Sequence, residues 1–436
     1  MTEKVGFKEL LKGFFLLETS WLKKYFINLI LAILLGVICG LAMVGFNYLL
    51  IFFKIGFSYL PYFLSPIIAG GLTCLLVRFG HYDRIMGTGA SEFIEEIHEP
   101  EMVSKRIPNT IAKTFATSWT YGSGMVCGIE GPGILIGANL GYIISKIFHQ
   151  NVKDYNFIGA SACTGAILKA PISGALFCAE LPYYNHVQYK SLIPSLIASI
   201  VAYLIFCLYF EFTPLIRTDI PSLTPNETNY LILLPLLVIF GIITGIIVFI
   251  YNGMLRSFTN KLQKTIGFKY GLWILPLIGA IGYSVLLLIL IPFLSEEYIN
   301  MFIGPDSSFL NFFINIVDKA TTNWVFLLVL LLLFAIAIVL CIGTTNSAGI
   351  ILPMMLFGAI LGAIFGNLFY SENPELFVLV GIAAVLAGSF NNPIASILII
   401  IEMTWVPMLF IPAGITAIIA YIFSGPSSIV HGQQHV

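Results

Sequence analysis

Glu130 is the residue whose surroundings demand an explanation. It stands in Gly128-Ile129-Glu130-Gly131-Pro132, within an apolar, glycine-rich stretch. A carboxylate at membrane depth costs several kcal/mol unless it faces a cavity or takes up a proton, and is a functional hypothesis by default. The glycine and proline around it suggest its chemistry. Proline is favoured in the first turn of a helix, and a helix start presents free N–H groups and about half a positive charge. Charged, Glu130 competes with an anion for those donors; protonated, it yields. That is a gate. The plainer alternative is an interfacial glutamate reaching water.

Two further segments offer the same donors. Gly349-Ile350-Ile351-Leu352-Pro353 repeats the Gly-x-x-x-Pro spacing without the carboxylate. Gly87-Thr88-Gly89-Ala90-Ser91-Glu92 is a glycine-rich loop in which Ser91 is expected to cap a helix and Thr88 to donate a hydroxyl. Converging helix starts make an anion site without lysine, which would hold an anion too tightly in a pore of low dielectric constant. Hydrogen-bond donors with no full charge suit a weakly held monovalent ion.

These motifs belong to a duplication. Gly137, Gly141, Gly159, Pro171 and Glu180 follow the first motif as Gly358, Gly362, Gly381, Pro393 and Glu402 follow the second, at nearly equal offsets. Lys169-Ala-Pro-Ile-Ser-Gly-Ala-Leu-Phe stands beside Asn391-Asn-Pro-Ile-Ala-Ser-Ile-Leu-Ile. The expected division is a first repeat over 1–210, a connection over 211–227 and a second repeat over 228–436. Short helices are expected over Gly133–Phe148 and Met354–Phe369, begun inside the membrane behind irregular backbone. Such backbone is tolerated only where protein or a cavity surrounds it, and paired broken helices point to a transport site. Close packing alone would explain Gly358 and Gly362.

The elements that hold these motifs are membrane helices. Of 436 residues, 58% are hydrophobic and 10% charged, against roughly 25% charged in soluble domains; the mean hydropathy is +0.95. Between Lys319 and Glu372 there is no Asp, Glu, Lys or Arg. Spans are expected over Tyr25–Phe53, Ser191–Phe210, Thr228–Tyr251, Gly271–Leu294 and Trp324–Ile342. The alternation of an outer-membrane barrel is missing, so the class is an all-α integral membrane protein. A net charge of −1 argues against a nucleic-acid partner. Lys4, Lys8, Lys12, Lys23 and Lys24 place the N-terminus in the cytoplasm, with no signal peptide expected. Seven cysteines without a CxxC pattern read as buried thiols, and six histidines without metal spacing leave no metal site or cofactor expected. Asn226-Glu227-Thr228 reads as a loop turn rather than a glycosylation site.

The three motifs in order resemble the CLC family of chloride channels and proton-coupled anion transporters. GSGxP appears as Gly87 to Ser91, G(K/R)EGP as Gly128 to Pro132, and GxFxP as Gly349 to Pro353; the likeness runs from about Gly70 to Gly425. It implies an inverted-repeat helical fold with broken helices, a homodimer with one pore per subunit, and no C-terminal nucleotide-binding domains, as in bacterial members. It carries over Glu130 as the gating glutamate. Anion ligands are implied around Gly87, Thr88, Gly89, Gly128, Ile129, Gly131, Ile350, Ile351 and Leu352, with Lys113 tuning the pore's electrostatics. In the family a serine at the Thr88 position goes with chloride, proline with nitrate and methionine with fluoride; threonine keeps the hydroxyl. The departures are Ser91 for proline, Ile129 for a basic residue, Ile351 for phenylalanine, Leu181 for the exchangers' inner glutamate, and a missing pore tyrosine near Ile429.

The resulting expectation is chloride-selective transport gated by protonation of Glu130, rising as external pH falls. Leu181 and the missing tyrosine tilt it toward passive or loosely coupled flux, with stoichiometric chloride/proton antiport as the alternative. A non-conducting scaffold or scramblase has no use for an intramembrane carboxylate. An enzyme is not expected: a hydrolase needs a nucleophile–histidine pair, and no histidine lies in an expected span. The partners are chloride, protons, the lipid of a bacterial inner membrane and a second copy of the chain.

Overall fold

The computed structural model describes residues 7–80, 82–99, 105–218, 230–304, 323–371, 373–426 and 428–435. The sequon at Asn226, most of the connection after residue 218, and the side chains of the N-terminal lysines lie outside the described residues. The principal helices of the first half are α1 (Phe7–Ser58), α2 (Ser65–Gly80), α3 (Ala90–His98), α4 (Arg106–Gly122), α5 (Glu130–Ile147), α6 (Val152–Leu168), α7 (Pro171–Glu180) and α8 (Leu192–Phe210). Those of the second half are α9 (Tyr230–Leu262), α10 (Leu275–Leu290), α11 (Trp324–Ile338), α12 (Ile351–Phe369), α13 (Pro374–Phe390), α14 (Pro393–Thr404) and α15 (Phe410–Ser424). A short parallel pair, β1 (Tyr183–Tyr184) and β2 (Gln434–His435), ties the C-terminal tail to the end of α7.

Among the described residues seven helical segments are long and apolar enough to cross a bilayer. With the family described below, they make this an integral, multi-pass membrane protein. Burial sorts the helices into two kinds. In α12, 83% of the apolar window is buried, against 39–50% in the other six segments, and every residue of α13 is buried. Helices apolar all round and enclosed by protein form the centre. Phe52 on α1, Leu208 on α8, Met254 on α9 and Ile422 on α15 stay exposed instead, a surface suited to lipid.

The duplicated glycines are the contacts that close each half. A Cβ on Gly137 would overlap the Gly159 carbonyl, and one on Gly141 the Tyr155 carbonyl, so α5 lies backbone to backbone on α6. Gly358 against Gly381 and Gly362 against Phe377 bring α12 onto α13 in the same way. Small residues that let helix backbones approach are how membrane helices gain dispersion energy when lipid is as apolar as leucine. Lys169 and Asn391 end α6 and α13 in the left-handed conformation, with φ of 51° and 58°. Proline follows two residues later and starts α7 or α14.

The two halves also hold each other by reciprocal caps. Glu402, near the end of α14, accepts hydrogen bonds at the start of α7 from Ile172 N (3.1 Å), Ser173 N (2.7 Å) and Ser173 Oγ (2.5 Å). Glu180, the last residue of α7, accepts one from Ala395 N at the start of α14 (3.3 Å). Each carboxylate satisfies orphan N–H groups of the other half and meets the positive end of its helix.

Candidate functional site

The two Gly-x-x-x-Pro motifs meet. Gly128 N donates to Gly349 O (2.7 Å), and Gly349 N donates to Gly128 O (2.8 Å). The residues just after them have almost the same backbone: Ile129 at φ −110°, ψ −11° and Ile350 at φ −109°, ψ −10°. Glu130 and Ile351 then open α5 and α12, three residues earlier than the sequence suggested, so Pro132 and Pro353 fall in the first turns. Two helix starts therefore face one junction with their unpaired N–H groups.

The Gly87 loop is the third part of this junction. Ala348 N donates to Gly87 O (3.3 Å). A Cβ on Gly131 would overlap Thr88 O, so only glycine lets the loop lie against the first turn of α5. Gly87 and Gly89 take φ of 96° and 84°, a region costly for side-chain residues. Gly89, not Ser91, caps α3: its N–H donates to Glu92 Oε2 (2.8 Å), and Ser91 sits in the first turn. A three-residue reach back from a first-turn glutamate to the cap N–H outcompetes a serine cap here. Ser91 N instead lies 3.5 Å from Thr88 Oγ1.

Lys113 braces the loop from behind. Its Nζ, 1% exposed, donates to Glu92 Oε1 (2.7 Å), Gly87 O (3.2 Å) and Ile85 O (3.3 Å). It pairs with Glu92 and lines neither of the two cavities at this junction.

Glu130 is 4% exposed. Backbone amides of Glu130, Leu352 and Ile129 surround its carboxylate, yet Oε2 has no hydrogen-bond partner. A Cβ on Gly128 would overlap that same Oε2, so the glycine makes room for the carboxylate. On one side of the junction Glu130, Ile129 and Leu352 line a cavity of about 290 Å³ with Asn47, Tyr121 and Lys169. On the other, Gly87, Thr88 and Ile350 line one of about 420 Å³ with Arg256, Thr345 and His431. Gly128, Gly131 and Gly349 meet between them, and Ile351 opens α12 beside Gly349. All the sequence-derived anion-site residues therefore converge on this junction, whereas Lys113 stands apart as its brace.

Comparison with known proteins bears on this arrangement. The profile of the family described as "Voltage gated chloride channel" matches residues 20–157 and 75–425. The chain belongs to this family. A curated relative, the H(+)/Cl(-) exchange transporter ClcA of Salmonella paratyphi A, is 29% identical over 300 residues, covering 65% of this chain and 59% of that protein. The chain thus spans about three fifths of the length of the curated relatives it matches. The solved structure of a CLC-type fluoride/proton antiporter superimposes with a TM-score of 0.76 at 21% identity, over 99% of this chain and 100% of that one. A slow cyanobacterial Cl-/H+ antiporter gives 0.73 at 19%, over 92% and 96%. At that identity these two show the fold, which is the CLC inverted repeat.

Two residues at this site escaped the sequence reading: Arg256 on α9 and His431 in the tail. The missing tyrosine near Ile429 directed attention to the right segment. Ile429 and His431 do line the Thr88 cavity, and no tyrosine is among its lining residues. All seven cysteines are free and buried, as their apolar neighbours suggested.

Proposed function

We propose that the protein moves chloride across a bacterial inner membrane in exchange for protons, with Glu130 as its gate. The observation that carries this reading is the Glu130 carboxylate at the meeting point of two helix starts, with a cavity on either side. The relative named as an H(+)/Cl(-) exchange transporter supports exchange over the passive flux suggested by Leu181. Leu181 is fully buried just beyond α7 and carries no proton, so the inner proton route uses other groups. Passive flux is the second reading, and that leucine is what favours it.

The site works by substitution of one anion for another. Ionised, Glu130 occupies the donors at the junction; protonated, it leaves them to chloride, so flux rises as the outer solution is acidified. Thr88 supplies a hydroxyl, and the amides of Gly131, Ile350 and Ile351 supply donors without full charge. The halves 1–210 and 228–436, joined by 211–227, contribute one helix start each. We place the N-terminus in the cytoplasm. The chain then crosses along α1 and returns along α2, so the Thr88 cavity opens inward and the Glu130 cavity outward. A homodimer with a pathway in each subunit follows the family, and we assign the protein no enzymatic activity, cofactor or metal.

Chloride efflux from liposomes with simultaneous pH recording tests this reading. Exchange predicts proton movement in fixed ratio to chloride and against an imposed proton gradient. Chloride movement without protons would establish the passive reading, and no chloride movement would refute transport.

A further inference from the structure

The Thr88 cavity contains charge that the gate does not use. Arg256 on α9 and His431 in the tail both line it, together with Thr88, Thr345, Asn260 and Gln263. The guanidinium stays charged at any physiological pH and carries five N–H donors; one of them, on Nη2, is given to Ser428 O. Among the described residues the one carboxylate in this wall is Glu92, whose charge is tied to Lys113 Nζ at 2.7 Å. The wall's potential is therefore set by Arg256 and His431.

His431 is held rather than hanging. Its backbone N–H donates to Ser91 Oγ (3.2 Å). Before it, Ile429 N donates to Ser389 O (2.8 Å). After it, Gln434–His435 pairs with Tyr183–Tyr184. Both flanks of the imidazole are anchored to elements of the core, so its place in the cavity wall is fixed by the fold.

We propose that Arg256 and His431 form an anion-recruiting site in the inner cavity, one that binds chloride more tightly when His431 is protonated. This rests on the transport reading above and assigns the cavity an anion site of its own, separate from the Glu130 junction. The groups facing His431 fit the role. Partial burial and the Arg256 charge push its pKa below the ordinary histidine value, while Glu92 pulls it back up. An anion arriving between Arg256 and His431 offsets the repulsion between the two cations. By linkage, chloride then favours protonation of His431 as much as that proton favours chloride. Inner acidity would load the cavity with anion and proton together.

Chloride binding to the detergent-solubilised protein, measured by calorimetry in the Glu130→Gln background, isolates this site from the titrating gate. Affinity is expected to rise about five- to tenfold from about pH 8 to about pH 5.5. His431→Gln should hold it at the high-pH level, and His431→Lys, whose charge is permanent, at or above the low-pH level throughout. Arg256→Gln should weaken binding at every pH. An unchanged pH dependence in His431→Gln, or equal affinities in the Gln and Lys variants, would overturn the proposal; the Lys variant guards against mere misfolding. The result is separable from transport. Absent flux with intact pH-dependent binding would sink the transport reading and leave this site, and flux with pH-independent binding would do the reverse.

Discussion

Replacing Glu130 by glutamine tests the gate with almost no change of shape. The carboxylate lies at two helix starts whose free N–H groups an anion would share, and a hydrogen bond to a charged group contributes about 1.5–3 kcal/mol. An anion that takes its place must first offset about that much. A carboxamide is a weaker acceptor and turns an N–H group toward donors, so most of this hold is lost. At a factor of ten per 1.4 kcal/mol, occupancy of the junction by chloride should rise about ten- to hundredfold at neutral pH. The fold should tolerate the change, because Oε2 already lacks a partner and the mutation removes a buried charge. In liposomes, Glu130→Gln at neutral outer pH should therefore match the wild type in acid, with no further response to outer pH and no coupled proton movement. A mutant that kept the wild-type response would refute the gate, leaving the likeness to the family as one of fold.

Five other substitutions bear on the same parts. Thr88→Pro should raise nitrate flux relative to chloride; an unchanged ratio would remove Thr88 from the selectivity site. Gly131→Ala puts a methyl group into Thr88 O and should cost about 1–3 kcal/mol of stability and at least about tenfold in flux. Gly71→Ala, with nothing within 4 Å, should be silent in the same assays. Glu402→Ala strips three acceptor contacts from the start of α7 and should destabilise the protein by about 1–3 kcal/mol, read as a lower Tm in detergent. Lys113→Met leaves Glu92 buried without its counter-ion, at about 3–5 kcal/mol, and a Tm equal to wild type would show that the brace is not needed.

How far the sequence carries toward this site depends on whether a contact is local. The glycine offsets announced the duplication but not the pairings of α5 with α6 and α12 with α13 that the glycines close, because close packing marks a position without naming its partner. Two apolar helices, Trp324–Ile338 and Leu192–Phe210, end within a few residues of the hydropathy limits, whereas α9 runs on to Leu262, past the expected Tyr251. The contacts of Lys113 were not legible because its partner, Glu92, lies 21 residues away across a loop. Spacing says nothing about which way that side chain turns. The cap of α3 failed for a different cause, since two chemically sound caps, Ser91 and the Gly89–Glu92 pair, competed within four residues. His431 was hidden by distance: 340 residues separate it from Ser91, to which its backbone is bonded.

The near-identity of the two junction backbones says where function enters this fold. Gly128 and Gly349 bond each other symmetrically, Ile129 and Ile350 share their torsion angles within about a degree, and Glu180 and Glu402 cap one another's halves. A structure built from two such equal parts would attract anions equally at both helix starts and control neither. On the proposed transport reading, control comes from the positions where the halves differ. Glu130 stands where the second half has Ile351, so only one helix start carries an anion of its own. The Gly87 loop and the tail around His431 both line a cavity that contains Ile350, whereas Leu352 lines the cavity of Glu130. The duplicated scaffold thus supplies paired donors in the membrane, and under the transport reading proposed above a few residues without a counterpart in the other half would give the pathway its gate and its direction.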